Sequence, residues 1–269
     1  MNRTLLAAAL TCCFVSAHAA DQRDTSALDP VVVTATRTPV TVDDALSAVD
    51  VITRADIERL QPLSVQDLLT GLPGVSIVRN GGLGQLGTLS LRGTNATHTL
   101  VLIDGVRIAS VTAGFAALEQ IPVDQIERIE IVRGPRSSLY GPDAIGGVIQ
   151  VFTRHGHADG GLVPAFSATV GNRGLAGATA GLSGGDANGW YNVSLGGQYT
   201  SGYPVCRMGA AEAFAGCFAD DPRDDAFRNW NGMASGGYRW DNGVTLSANG
   251  LRSRNFVEYA GIPFGSNRA

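Results

Sequence analysis

The chain has 269 residues, room for one or two domains. Only 16% are charged and the net charge is −4, which argues against a nucleic-acid binder or a polybasic membrane binder. Its 35 glycines follow no collagen period, so they point to many turns or to strands with small side chains.

Residues 1–19 read as a cleavable signal peptide: Arg3 is the positive start, Leu5 to Val15 the apolar stretch, and Ala17-His18-Ala19 the cleavage site. Residues 20–39 form an N-terminal segment. Within it, "DPVVVTATRTP" (29–39) is β-prone, bounded by prolines and close to the free end. A short extended segment of this kind suits pairing with a partner's sheet edge.

Residues 40–155 read as a compact α+β domain. "SAVDVIT" (47–53) predicts a strand. Thr53 and Asp56, then Ser64 and Asp67, stand at capping-box spacing and predict two helix starts, the second stopped by Gly71 and Pro73. "GVSIV", "GTLSLRG", "HTLVLIDGVRI", "IERIEIVRG" and "GGVIQVFTR" predict further short strands, with a hairpin turn at Asp104-Gly105.

The pattern changes between 160 and 269. "WYNVSLGGQYT" places Tyr191, Val193, Leu195 and Tyr199 on one face and Asn192, Ser194, Gln198 and Thr200 on the other. "NWNGMASGGYRW" and "VTLSANGLR" alternate in the same way, and "AFSATVG" and "LAGATAGLSG" give two weaker strands. These five predicted strands, joined by tight turns at 171–174, 184–189 and 241–243 and by one long connection near 201–228, suit a transmembrane β-barrel. A soluble β-sandwich with one wet face is the alternative. Five strands cannot close a barrel around a domain, so the chain reads as the N-terminal fragment of a longer protein.

Two long runs, "NGGLGQLGTLSLRGTNATHTLVLIDGVRI" (80–108) and "IERIEIVRGPRSSLYGPDAIGGVIQVFTR" (126–154), resemble the TonB-dependent outer-membrane receptors, and most nearly the cobalamin (vitamin B12) transporters among them. The resemblance implies an α+β plug domain followed by the first five or so antiparallel strands of a large, here incomplete, transmembrane β-barrel. It implies an exported, multi-pass protein of a Gram-negative outer membrane. Residues Asp29, Pro30, Val31, Val32, Val33, Thr34, Ala35 and Thr36 would be the TonB box, which adds as a strand to TonB and its inner-membrane energising complex. Cargo would be cobalamin, or alternatively a ferric siderophore.

Leu86 and Asn95 match substrate-contacting residues of the resembled transporters, Thr88 stands where they have serine and keeps the hydroxyl, and Ala113 and Gly114 fall in a third such loop that matches the pattern poorly. Glycines 81, 82, 84 and 87 would let that loop approach a bulky ligand. Asn95 is equally readable as a turn residue bonding its own backbone. Arg92, Arg133 and Arg136 read as partners of carboxylates or strand-end carbonyls rather than as anion ligands.

In the long connection, Asp220, Asp221, Asp224 and Asp225 offer hard oxygen ligands suited to calcium, the only cofactor considered. Cys206 and Cys217 predict a local disulfide in an exported chain, two unpaired thiols being the alternative. Nothing resembles a nucleotide site, a catalytic triad or a zinc motif, so no enzyme is expected. A soluble periplasmic binding module is the competing class, but it would leave Tyr191, Trp230 and Trp240 facing water.

Overall fold

The computed structural model describes residues 32–33, 40–41, 48–110, 113–156, 161–206 and 221–259. The signal peptide, Asp29–Val31 and Thr34–Thr36 of the proposed box, Asp220 and Cys217 lie outside them.

Strand β1 (Val32–Val33) pairs antiparallel with β2 (Val40–Thr41), Val32 opposite Thr41. The two central box residues are thus already paired within the chain, where an unpaired segment was expected. β3 (Val49–Ile52) leads into helix Arg54–Leu60, and a second helix spans Val65–Leu69. Both begin with the predicted capping boxes. Asp56 N donates to Thr53 Oγ1 at 3.3 Å and Thr53 N to Asp56 Oδ2 at 3.1 Å; Asp67 and Ser64 do the same at 3.2 and 2.9 Å. Each box satisfies donors that a helix start leaves unpaired.

β4 (Val75–Arg79) and β5 (Gly87–Leu91) form a hairpin of their own. β6 (Thr99–Ile103), β7 (Val106–Arg107), β8 (Ile126–Arg133) and β9 (Gly147–Thr153) join β3 in a five-stranded sheet ordered β3-β8-β9-β6-β7. β6 pairs β9 in parallel; the other pairs are antiparallel. The predicted Asp104-Gly105 turn is present, both residues at positive φ (47° and 81°), as such a hairpin demands. The short helix Ser137–Tyr140 was not foreseen. The core gathers Val65, Leu69, Leu91, Leu118, Ile126, Ile129, Ile131 and Ile149, all essentially inaccessible. Burying a side chain of this size contributes about 1.5–3 kcal/mol.

The second half is one antiparallel sheet of β10 (Gly161–Val170), β11 (Ala176–Gly185), β12 (Gly189–Thr200), β13 (Phe227–Arg239) and β14 (Thr245–Val257), in sequence order and open at β10 and β14. All five strands were predicted, but β14 runs five residues past the predicted end. Burial alternates along β12 and β13. Asn192, Ser194, Asn229, Asn231 and Ser235 are buried on one face, while Val193, Leu195 and Trp230 stand exposed on the other. Polar residues buried beside apolar residues in the open invert the pattern of a water-soluble sheet.

Candidate functional site: the face between domain and sheet

The polar face of the large sheet is where the α+β domain docks. Gln125, 1% exposed, precedes β8 and donates from Nε2 to Asn231 Oδ1 at 2.8 Å. Its Oε1 accepts a short hydrogen bond from Ser194 Oγ. Thr179 Oγ1 donates to Asp124 Oδ2 at 2.7 Å. The Arg154 carbonyl accepts from Asn192 Nδ2 and Ser235 Oγ, both at 3.2 Å. Asp104 ties its own turn to β9 and to the sheet. Its carboxylate accepts from the Thr153 amide at 2.9 Å, the Thr153 hydroxyl at 2.5 Å and Asn249 Nδ2 at 2.6 Å.

Every group that the sheet contributes here is a neutral amide or hydroxyl. The ion pairs among the described residues lie inside the α+β domain, as Arg79–Asp67, Arg107–Asp143 and Arg133–Asp50, or within the long connection. A neutral hydrogen bond nets about 0.5–1.5 kcal/mol and one to a carboxylate, as at Asp104 and Asp124, about 1.5–3 kcal/mol, and water can replace either when the surfaces part. Such a seam holds the domain in place without the desolvation penalty of buried charge pairs.

A cavity of about 450 Å³ remains in the seam, lined by Arg54, Glu119, Asp124 and Arg154 from the domain and by Thr169 and Gln198 from the sheet. Burial pushes the Glu119 carboxyl above its usual range, opposed by its own amide and that of Gly87.

The loop 80–86 packs against the long-connection end of the sheet. Gly84, at φ +79°, lies under Phe227: a Cβ there would fall 2.0 Å from the ring. Gly82 sits against Tyr203, and Gly87 against the Gln66 amide. The glycines predicted to admit a ligand therefore admit protein side chains, because the loop is pressed onto the sheet. Gln85 is buried, donates to the Glu258 carbonyl at 3.4 Å, and bonds Asp225.

Leu86 and Thr88 are half-buried at this end of β5, whereas Asn95 lies beyond its other end. Asn95 is exposed and makes no capping bond, which removes the turn reading of its side chain. Ala113 and Gly114 adjoin the Asn95 turn: a Cβ on Gly114 would be 3.7 Å from Thr97 Cγ2. The structure thus places Gly114 against Thr97 of the turn that Asn95 opens, with Leu86 and Thr88 at the other end of β5. Arg133 is buried and paired with Asp50, and Arg92 packs near it beside Gly74.

The described loop aspartates do not form a cation site. Asp221 gives both oxygens to Arg223, at 2.8 and 2.6 Å. Asp224 is exposed. Asp225 is buried, and that burial pushes its carboxyl above the usual range against hydrogen bonds from the Val205 amide and Gln85. Among the described residues, no group of three or more acidic, histidine or cysteine side chains is arranged to hold a metal ion. Cys206 is buried and disulfide-bonded. Sequence reasoning missed Gln125 and Gln85 and gave Asp104 only a turn role. The signal available for Asp104 was a carboxylate following an apolar strand; Gln125, beside Asp124 and Glu127, carried none.

Residues 41–148 match the TonB-dependent receptor plug domain. The siderophore receptor PirA from Acinetobacter baumannii is similar at 23% identity and a TM-score of 0.62, over 82% of this chain and 33% of that one. A mutant of the ferric enterobactin receptor PfeA from Pseudomonas aeruginosa is similar at 26% identity and a TM-score of 0.62, over 86% of this chain and 35% of that one. The copper transporter OprC shares the fold at 20% identity and a TM-score of 0.57, over 72% of this chain and 28% of that one. The chain thus spans about a third of the length of the receptors it matches. Residues 41–148 are thus similar to a TonB-dependent receptor plug domain, and the plug-like domain followed by five antiparallel strands matches the fold of the N-terminal part of such receptors.

Proposed function

We propose that this chain forms the N-terminal part of an outer-membrane receptor that imports a ferric siderophore with energy drawn from TonB. It is a receptor and transporter rather than an enzyme. The observation that carries the reading is the inverted sheet: its polar face is covered by the plug, and its other face is apolar. Lipid is the solvent that suits the second face. The outer membrane holds no nucleotide supply or ion gradient of its own, so uptake against a gradient needs mechanical work on the plug. A seam crossed by hydrogen bonds but, among the described residues, by no ion pair suits a plug that must be moved.

Residues 29–36 would receive the pull. Pairing with a partner strand uses main-chain hydrogen bonds, so Val32 and Val33 would have to leave β2 to make it. The siderophore reading displaces cobalamin because receptors similar to this chain at 25–26% identity bind enterobactin or are named for it. Asn95, Ala113 and Gly114 are the plug residues best placed for cargo, being adjacent and accessible; Leu86 and Thr88 would serve a separate contact.

Equilibrium binding to the intact receptor in detergent tests the cargo, with ferric enterobactin and cobalamin titrated side by side. Binding of the iron complex, weakened by Asn95→Ala, supports the reading. Tight cobalamin binding with no response to ferric siderophores would restore the B12 assignment.

A further inference from the structure

The strands β10–β14 contain no aspartate or glutamate and four arginines. Three of these, Arg228, Arg252 and Arg254, project from the apolar face. The register fixes this: Arg254 lies opposite Trp230, Arg228 opposite Phe256 and Arg252 opposite Gly232. All belong to the half of β13 and β14 nearer the long connection. Tyr238 and Leu246 mark the other end of the same face.

A lipid-facing arginine is costly at mid-bilayer and nearly free at the interface, where its long stem lies along apolar surface and its head reaches polar groups. The three occupy successive rungs of one face, Arg228 beside Phe256, Arg254 beside Trp230 and Arg252 beside Gly232, with Tyr199 next to Arg228, and together they mark the approach to a headgroup boundary at the long-connection end. Arg228 stacks over Tyr199, its guanidinium carbon 5.7 Å from the ring centre. A groove of about 420 Å³ opens there, lined by Tyr199, Ala226, Phe227, Arg228, Phe256 and Glu258. Glu258 follows the end of β14, and its charge acts on Arg223 of the long connection. Among the described residues, none of the three arginines has a carboxylate partner.

We propose that Arg228, Arg252 and Arg254 form a binding site for the phosphate groups of a lipid in the leaflet on the long-connection side. The guanidinium fork matches phosphate geometry, the aromatic rings supply the apolar floor, and, with no acidic side chain on the strands and Glu258 the one carboxylate among the groove's lining residues, three arginines leave the face net positive. This inference rests on the membrane reading above and adds to it a specific anionic ligand.

The test uses the intact receptor in neutral detergent micelles, titrated with diphosphorylated lipid A and with the same lipid stripped of phosphate. The thermal midpoint reports binding. The wild type should be stabilised by the phosphorylated lipid alone, and the triple variant R228Q/R252Q/R254Q should bind it about a hundred-fold more weakly. Equal responses to the two lipids, an unchanged affinity in the variant, or the same shift from inorganic phosphate would each overturn the proposal. Should the triple variant not fold, Arg254→Gln replaces it, with about a fivefold loss expected and no loss refuting. Insertion into phosphatidylcholine vesicles, read by protease protection of the strands, tests the membrane reading separately. A receptor that inserts but ignores lipid phosphate overturns this proposal only; one that cannot insert overturns both.

Discussion

Replacing Gln125 by alanine should loosen the plug from the sheet while leaving the plug's own core intact. Gln125 is 1% exposed and makes two side-chain bonds across the seam, to Asn231 and Ser194. Truncation removes both and leaves the Ser194 hydroxyl without its acceptor and Asn231 Oδ1 without its donor. Asn231 keeps its second bond, from Nδ2 to Asn229 Oδ1 at 2.8 Å. Each lost buried bond with an orphaned partner costs about 1–3 kcal/mol. A water entering the vacated polar space would recover part of this, so the net should be about 2–4 kcal/mol. Hydrogen exchange on the intact protein reads the opening locally. Amides of residues 119–126 should exchange roughly 30- to 900-fold faster, while residues 148–151 in the central strand should not change. Asn231→Ala should couple to it by about 1 kcal/mol in a double-mutant cycle. A change below about threefold at 119–126, or an equal rise at 148–151, would refute the claim that Gln125 serves docking rather than the domain's fold.

Gly84→Ala should dislodge loop 80–86, because a Cβ would lie 2.0 Å from the Phe227 ring at a φ of +79°; protease sensitivity of the loop should rise, and unchanged digestion would contradict the packing. Thr53→Ala should speed exchange in helix Arg54–Leu60 by about 1 kcal/mol at neutral pH. Thr53, then Arg59, holds the Asp56 carboxyl below its ordinary value of 3.8, so this stabilisation is present above that value and is lost as pH falls through the lower folded one. The gap between variant and wild type should therefore close in acid. Adding calcium or a chelator should leave digestion of the long connection unchanged, since Arg223 already occupies both oxygens of Asp221; protection by calcium would assign the remaining carboxylates a ligand role. If residues 29–36 couple the proposed transport, Val32→Pro should abolish uptake by the intact protein and spare cargo binding, because proline removes a main-chain donor from the pairing segment; normal uptake would remove those residues from the proposed role.

Local signals were legible in the sequence. Both capping boxes could be located from a hydroxyl residue and an aspartate three positions later, since that geometry is fixed within one helical turn. The alternation in β12 and β13 revealed both faces of the sheet, because each side chain's environment follows from strand parity. The parallel pairing of β6 with β9 left no local mark, because it joins segments far apart in the chain. Nor did the sequence show that Glu130, with an alternating pattern around it, would be wholly buried and paired with Arg128 at 3.0 Å. The role of the glycines in loop 80–86 was misjudged for a related reason. A missing Cβ announces a close approach but not what approaches, and here it is Phe227.

The strand order β3-β8-β9-β6-β7 has a kinetic consequence. Its central strand, β9, is the last to be synthesised, and β3 must also reach across the chain to pair Val49 with Val132. Until residue 153 has emerged, β6 and β8 have no strand between them, so the sheet cannot assemble progressively from its N-terminus. Closing such long loops makes assembly slow. Until β9 arrives the apolar faces of β6 and β8 lack their central partner, so the sheet is seated in a single late step.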